Sequence, residues 1–487
     1  MFLQTAIKEL DRYLPPTNRW CVLFATVPVS FASGTLFAYS VFGTQLADRC
    51  KLDASSTVNL NITATLGGAI GGLLSGLLTD RYGTQIPILI SFLCLTLGYF
   101  LVYLSYQLGE GSTFIGLLFA MLCVGFGSVA GYFSSLKAVA LNFPDFKGSA
   151  QSVTIASFAI SSLLYSVVSS FLSTGDFIKF LSISCAVLTS IGFVFIRVDG
   201  HYNEVLLSDI EEQVEGESSQ LLADESSGYE SVVSDTNLKS QPDVDVVKTL
   251  NLKGSLFHPT FWLHYLIFSI TQGFGQMYIY SVGYILKAIY YYYTHNEITS
   301  DVVSLQKLQA LHVSLIAIFS FIGRLSSGPT SDYFYKVLKV QRHWILILGT
   351  LVMLVGHSLQ LLDVESTFKT LGGANIYLSV ASCTVGFAYG FTFACYPVIV
   401  SDIFNMKYYS FIWGCLYTST TIGLTLMSKI FGYVYDSNSV TWDPSNKVYI
   451  CSKGSGCYHA TFKITCGMCV LVIALVGGYI YRGRNTK

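Results

Sequence analysis

Long apolar stretches separated by short polar breaks dominate this chain. Twelve runs have the roughly 20 residues that carry a helix across a hydrocarbon core. They read at roughly 20–46, 57–79, 86–106, 112–138, 150–172 and 177–196, then 260–284, 308–330, 343–362, 374–400, 409–431 and 461–481. Between the sixth and seventh lies a polar stretch rich in Ser, Asp and Glu, with few aromatics. Such a segment cannot bury enough apolar surface to fold alone. The pattern predicts an all-α polytopic membrane protein, with twelve transmembrane helices in two six-helix bundles. Its divisions are a cytosolic arm (1–19), an N-terminal bundle (20–198), a disordered cytosolic linker (199–257), a C-terminal bundle (258–482) and a cytosolic tail (483–487).

Composition strengthens this. Only 12% of the 487 residues are charged, against about 25% in soluble domains. The missing polar surface is the surface that lipid covers. A net charge of −1 leaves no footprint for nucleic acid. The first 19 residues carry Lys8, Glu9, Asp11 and Arg12 and no apolar core, so the first run is expected to stay as a membrane anchor. An even number of spans puts both termini on one side. Placing them in the cytosol puts most of the Lys and Arg inside, as the positive-inside rule requires.

Charge punctuates the spans at two matching places. The second run ends in Gly76-x-x-x-Asp80-Arg81-x-Gly83, and the eighth ends in Gly323-Arg324, Gly328 and Asp332. Gly76 to Asp80 and Gly328 to Asp332 share a spacing of four. Small residues admit a neighbouring helix, the charges stop the span, and Gly83 permits a tight reversal. This recurrence resembles the signature of the major facilitator superfamily, whose fold is two parallel six-helix repeats. The resemblance implies gating at the cytosolic face by Asp80, Arg81, Arg324 and Asp332, with Asp402 as gate or cap at the end of span ten.

Further strings resemble the nodulin-like branch, near the monocarboxylate and oxalate/formate carriers. They are Asn18-Arg19-Trp20, Gly34-x-x-Phe37-x-Tyr39-Ser40-Val41, Asn142-Phe143-Pro144 and the stretch 396–404. Lys147 stands where that group has Arg. The branch supplies no substrate.

In such a fold the solute site is expected at the midplane between the halves. Polar groups inside spans are the candidates for it. Span one offers Ser30, Ser33, Thr35 and Tyr39 about a break near Pro28 and Gly34. Span four offers Tyr132 and Lys137, span seven Gln272, Gln276 and Tyr280, and span ten Tyr389. Lys137 reads either as an anion-binding charge or as a lysine reaching toward the interface. No Asp or Glu sits at mid-depth. The coupling ion is therefore open, with protons one option and His264 a candidate relay. Amides, hydroxyls and phenols suit a neutral or singly charged small solute.

Twelve cysteines call for sorting. Most lie inside apolar runs and read as small buried residues. Cys451 and Cys457, in the last external loop, are the disulfide candidates, with Cys50 the competing partner. Neither a metal nor a cofactor is expected. The linker carries Glu217-x-x-x-Leu221-Leu222. This acidic dileucine string resembles signals read by adaptor complexes, and it favours a vacuolar or lysosomal membrane over the plasma membrane. No nucleophile, base and oxyanion constellation is present, so no enzyme is expected. The functional expectation is a carrier of a small organic solute by rocker-switch alternating access, with a monocarboxylate-like substrate one option. The alternative is a transporter-like nutrient sensor or scaffold signalling through the linker.

Overall fold

The computed structural model describes residues 17–52, 54–197, 247–294, 302–439, 441–443 and 448–485. Twelve long helices form two bundles. The first six are α1 (Arg19–Gly34, carried through a 3-10 turn at Thr35–Ala38 into Tyr39–Cys50), α2 (Ala54–Tyr82), α3 (Gln85–Leu108), α4 (Phe114–Asn142), α5 (Lys147–Ser169) and α6 (Thr174–Phe195). The second six are α7 (Pro259–Tyr293), α8 (Val302–Lys336), α9 (His343–Leu359), α10 (Leu371–Ile403), α11 (Tyr409–Asn438) and α12 (His459–Asn485). Nine, among the described residues, are long and apolar enough to cross a membrane on composition alone. Of the rest, α9 has 17 residues, while α7 carries His, Gln, Tyr, Ser and Thr along its length and α11 carries Tyr, Ser and Thr. Those two more polar helices border the seam between the bundles.

Local chemistry sets the helix ends. Asn18 caps α1 by accepting the Cys21 N–H at 2.8 Å. Gly83 reverses the chain between α2 and α3 at φ +86°, a conformation that favours glycine. Span one is not a continuous helix. It tightens into the 3-10 turn immediately after Gly34, where a Cβ would strike Phe158 and Ser161 of α5. Spans seven and eight are longer than their apolar cores predict, at 35 residues each. Their outer turns are tyrosine-rich or amphipathic and so escape a hydropathy reading.

The two ends of the bundles differ. At the linker end, Phe195 closes α6 and Pro259 opens α7. At the opposite end, here the hairpin end, two short antiparallel strands, β1 (Thr441–Asp443) and β2 (Val448–Ile450), precede α12. There Cys451 is bonded to Cys457. Glu365, between α9 and α10, accepts from the Ser455 amide and, at 2.6 Å, from its hydroxyl. The last loop is thereby pinned onto the loop before α10.

Residues 247–257 correct the predicted extent of the linker. Val247 is fully buried, and Asn251 caps a helix at Leu252–Phe257. Asn405 donates its side-chain amide to the Lys248 carbonyl at 3.0 Å. The apolar residues Val247, Leu252 and Leu256 supply the contact with the bundle, with Leu250 half-buried beside them, all diluted among polar ones in the sequence. Glu217, Leu221 and Leu222 lie outside the described residues.

Candidate gate and solute pathway

The acids that end α2 and α8 do the same thing in opposite directions. Asp80 accepts the backbone N–H groups of Ser410 and Phe411 at 3.1 and 2.9 Å. These are the second and third residues of α11, in the other bundle. Asp332 accepts those of Gly148 and Ser149 at 3.1 and 2.7 Å, the second and third residues of α5. Each carboxylate is an N-cap supplied in trans, satisfying orphan donors and facing the positive end of a helix dipole. The Ser149 hydroxyl adds a bond to Asp332 at 2.7 Å.

Each acid also holds a cation. Lys137 of α4 meets Asp80 at 2.6 Å, with both side chains under a tenth exposed. Arg342, just before α9, meets Asp332 at 2.9 Å and Asp402 of α10 at 2.7 Å. Lys147 reaches Asp402 from the N-terminal bundle at 3.8 Å. Gln151 donates to the Tyr409 hydroxyl at 2.9 Å. The helices approach closely enough for these bonds because small residues face each other. A Cβ on Gly148 would lie 2.7 Å from the Gly328 carbonyl, and one on Gly76 would lie 2.6 Å from that of Ser410.

Every one of these bundle-to-bundle bonds lies in the linker half. Above them the seam is aromatic. Phe133 of α4 contacts Trp413 and Tyr417 of α11, and Phe393 contacts both of those rings from α10. Tyr132 stacks on Phe158 at 4.3 Å. In this arrangement the two bundles are bonded together at the linker end.

Arg324 belongs to a different place from the other motif residues. It lies eight residues before Asp332, about 12 Å along the helix axis, and close to the middle of the span Lys307–Lys336. Its guanidinium sits over Phe393 at 4.5 Å and Tyr389 at 5.5 Å. It is 6% exposed, and its Nε and Nη1 have no hydrogen-bond partner among the described residues. The apolar run appeared to end at 330, which put Arg324 near the cytosolic surface. The helix runs on through Pro329 to Lys336, so Arg324 is deep. Lys137 stays near the linker end of α4, where Asp80 occupies its ammonium. Arg81 stands exposed over the Tyr82 ring and makes no bundle-to-bundle bond among the described residues. Arg342 was missed as a gate residue. Its only sequence signal is its place beside a helix start, ten residues after Asp332 and sixty before Asp402.

The other candidates divide. Gln276 donates to the Tyr389 hydroxyl at 3.5 Å, linking α7 to the rings about Arg324. One turn further on, Tyr280 is 61% exposed. It borders a hollow of about 300 Å³ with Tyr284, Phe431, Tyr435 and Asp436. Ser30 and Ser33 are buried with hydroxyls lacking partners, as is the Tyr132 hydroxyl. Gln272 donates to Thr392 at 3.3 Å. Thr35 bonds its own backbone at Ala32, and Tyr39 donates to the Thr57 carbonyl at 3.0 Å. These last two brace the hairpin half of the N-terminal bundle.

Comparison with known proteins agrees with this geometry. Residues 20–336 match the family model described as Major Facilitator Superfamily. A Saccharomyces cerevisiae protein, "Uncharacterized membrane protein YMR155W", is 26% identical over 94% of each chain. A Wickerhamomyces anomalus protein named "Probable transporter MCH1" is 28% identical over 74% of this chain and 68% of its own. Among solved structures, the proton:xylose symporter XylE superposes with a TM-score of 0.63 at 14% identity, covering 95% of this chain and 96% of that one.

Proposed function

The chain belongs to the major facilitator superfamily, a family of membrane transporters, and from that premise we propose that it carries a small organic anion of the monocarboxylate type. The observation that carries this reading is Arg324. A charged guanidinium at mid-span is retained where something satisfies it. Its face is covered by Phe393 and Tyr389, yet Nε and Nη1 have no acceptor among the described residues. A carboxylate matches a guanidinium with two parallel N–H···O bonds. The solute enters from the hairpin end, past Tyr280 and Gln276. The linker end opens when Asp80 and Asp332 release the helix N-termini of the opposite bundle.

Flux of radiolabelled monocarboxylates into liposomes holding the purified protein tests this. Uptake of at least one carboxylate is expected, falling more than tenfold in Arg324→Gln and only partly rescued in Arg324→Lys, which lacks the fork. Uptake in Arg324→Gln equal to wild type, or no uptake of any carboxylate tested, contradicts the reading. Finer placement rests on sequence. The strings at 18–20, 142–144 and 396–404 support the nodulin-like branch, and the dileucine string supports a vacuolar membrane read by an adaptor complex. The linker then faces the cytosol.

A further inference from the structure

Five groups in the C-terminal bundle, four of them buried and Asn375 half-buried, form one continuous chain of hydrogen bonds. Gln360 donates to the Tyr278 hydroxyl at 3.1 Å, and Tyr278 shares a bond of 3.0 Å with Ser382. Ser382 meets His312 Nδ1 at 2.8 Å, and His312 Nε2 meets the Asn375 side-chain oxygen at 3.0 Å. Read in order, every proton has an acceptor and His312 is a neutral brace with its proton on Nε2.

At the linker end of the same bundle a second pair of imidazoles has no such resolution. His264 of α7 and His343 of α9 face each other through their Nε2 atoms at 3.4 Å. Both are buried, at 2% and 6% exposed. One nitrogen must donate and the other accept. The Nδ1 of His264 is buried without a partner, so that ring holds either an unpaired acceptor or an unpaired donor. The rings packed on the pair are Tyr396 of α10 and Tyr479 of α12. No carboxylate touches either imidazole among the described residues. The nearest fixed charge in the chain is Arg342, adjacent to His343, and it binds Asp332 of α8 and Asp402 of α10.

We propose that His264 and His343 form a single-proton binding site, outside the solute pathway, that biases the linker end toward opening. The pair can take one proton as an imidazolium bonded to an imidazole through the two Nε2 atoms. While the gate is shut that charge has no counter-ion among the described residues, and Arg342, next to His343 in the sequence, is committed to two carboxylates. When the bundles part at the linker end, Asp332 and Asp402 give up Gly148, Ser149 and Lys147 of the N-terminal bundle, and Arg342 and the start of α9 that carries His343 are free to shift. The protonated form is therefore favoured in the open state. By linkage, acid on the linker side favours opening. The inference rests on the alternating-access reading and not on the identity of the solute.

Trp413 supplies a reporter that needs no solute. It is fully buried at the seam, 6.0 Å from Phe133 of the other bundle, and parting the bundles exposes it. The experiment follows tryptophan emission of the full chain in lipid nanodiscs from pH 8 to pH 5, taken as the difference from Trp413→Phe. The expected result is a reversible red shift that follows about one proton with a midpoint in the histidine range. It is expected to vanish in His264→Gln and in His343→Gln and to persist in His312→Gln. A shift that persists in both pair variants overturns the proposal. Wild type alone suffices to overturn it, should no Trp413 shift occur, so a variant that fails to fold leaves the test intact. Carboxylate flux read separately distinguishes this failure from that of Arg324 as the solute site.

Discussion

Asp80 shows how much one carboxylate can do when it ends a helix at a seam. It neutralises Lys137 and caps α11 across the bundle boundary. Asp80→Asn keeps the shape and loses the charge, which leaves a buried ammonium unpaired. Breaking a buried pair from one side costs roughly 3 kcal/mol or more. The expected outcome is a lower melting temperature in detergent and a transport rate reduced at least tenfold, with membrane insertion intact. Asp80→Asn/Lys137→Gln is expected to regain part of the stability and none of the gating, measured by thermal unfolding alongside flux. Unchanged transport in Asp80→Asn contradicts the gate. At this scale the sequence was informative about type and weaker about depth. The repeated Gly-x-x-x-Asp placed both acids correctly at their helix ends. Arg324 was harder, because the depth of a charge depends on where a helix really stops, and polar last turns hide that.

At the scale of elements, the crossings α5–α8 and α2–α11 decide whether the linker end can shut. Both rely on the absence of side chains. Gly148 faces Gly328, and Gly414 faces the Gly72 carbonyl, which a Cβ would approach to 2.5 Å. Cβ atoms do not come that close to a backbone oxygen, so Gly148→Val holds the helices apart. The expected outcome is a protein that folds, labels readily with a thiol reagent at a cysteine placed at Ser152, and transports poorly. Labelling as slow as in the same cysteine variant with Gly148 retained argues against closure at this crossing. The helices themselves were legible in the sequence because a lipid-spanning run is a coarse signal of about 20 residues. Pairing of α2 with α11 and of α5 with α8 was not. Contacts more than 180 residues apart leave no local pattern. The docked segment 247–257 was hidden for a related reason, since a few apolar residues among polar neighbours acquire meaning only against the bundle they cover.

The whole molecule is two similar halves joined by one polar connection and held together at one end. With the linker end bonded through Asp80, Asp332 and Arg342, and no such bond recorded in the hairpin half of the seam among the described residues, the halves are set to rock about the aromatic layer at Phe133, Phe393 and Trp413. Deleting residues 200–240 leaves the docked segment in place. It is expected to preserve flux in liposomes while changing the membrane to which the protein is delivered, seen by fluorescence microscopy of a tagged chain. Loss of flux on that deletion would favour a signalling role for the linker instead.

The central claim is that closure at one end and opening at the other are one motion. Paired spin-label distances measure it directly in a background with the reduced cysteines replaced. One pair bridges the linker end at Arg81 and Lys407, and the other bridges the hairpin end at Ser170 and Lys307. On passing from the wild type to Asp80→Asn/Asp332→Asn, the first distance is predicted to lengthen and the second to shorten together. Two distances that stay fixed, or that change in the same direction, contradict the account.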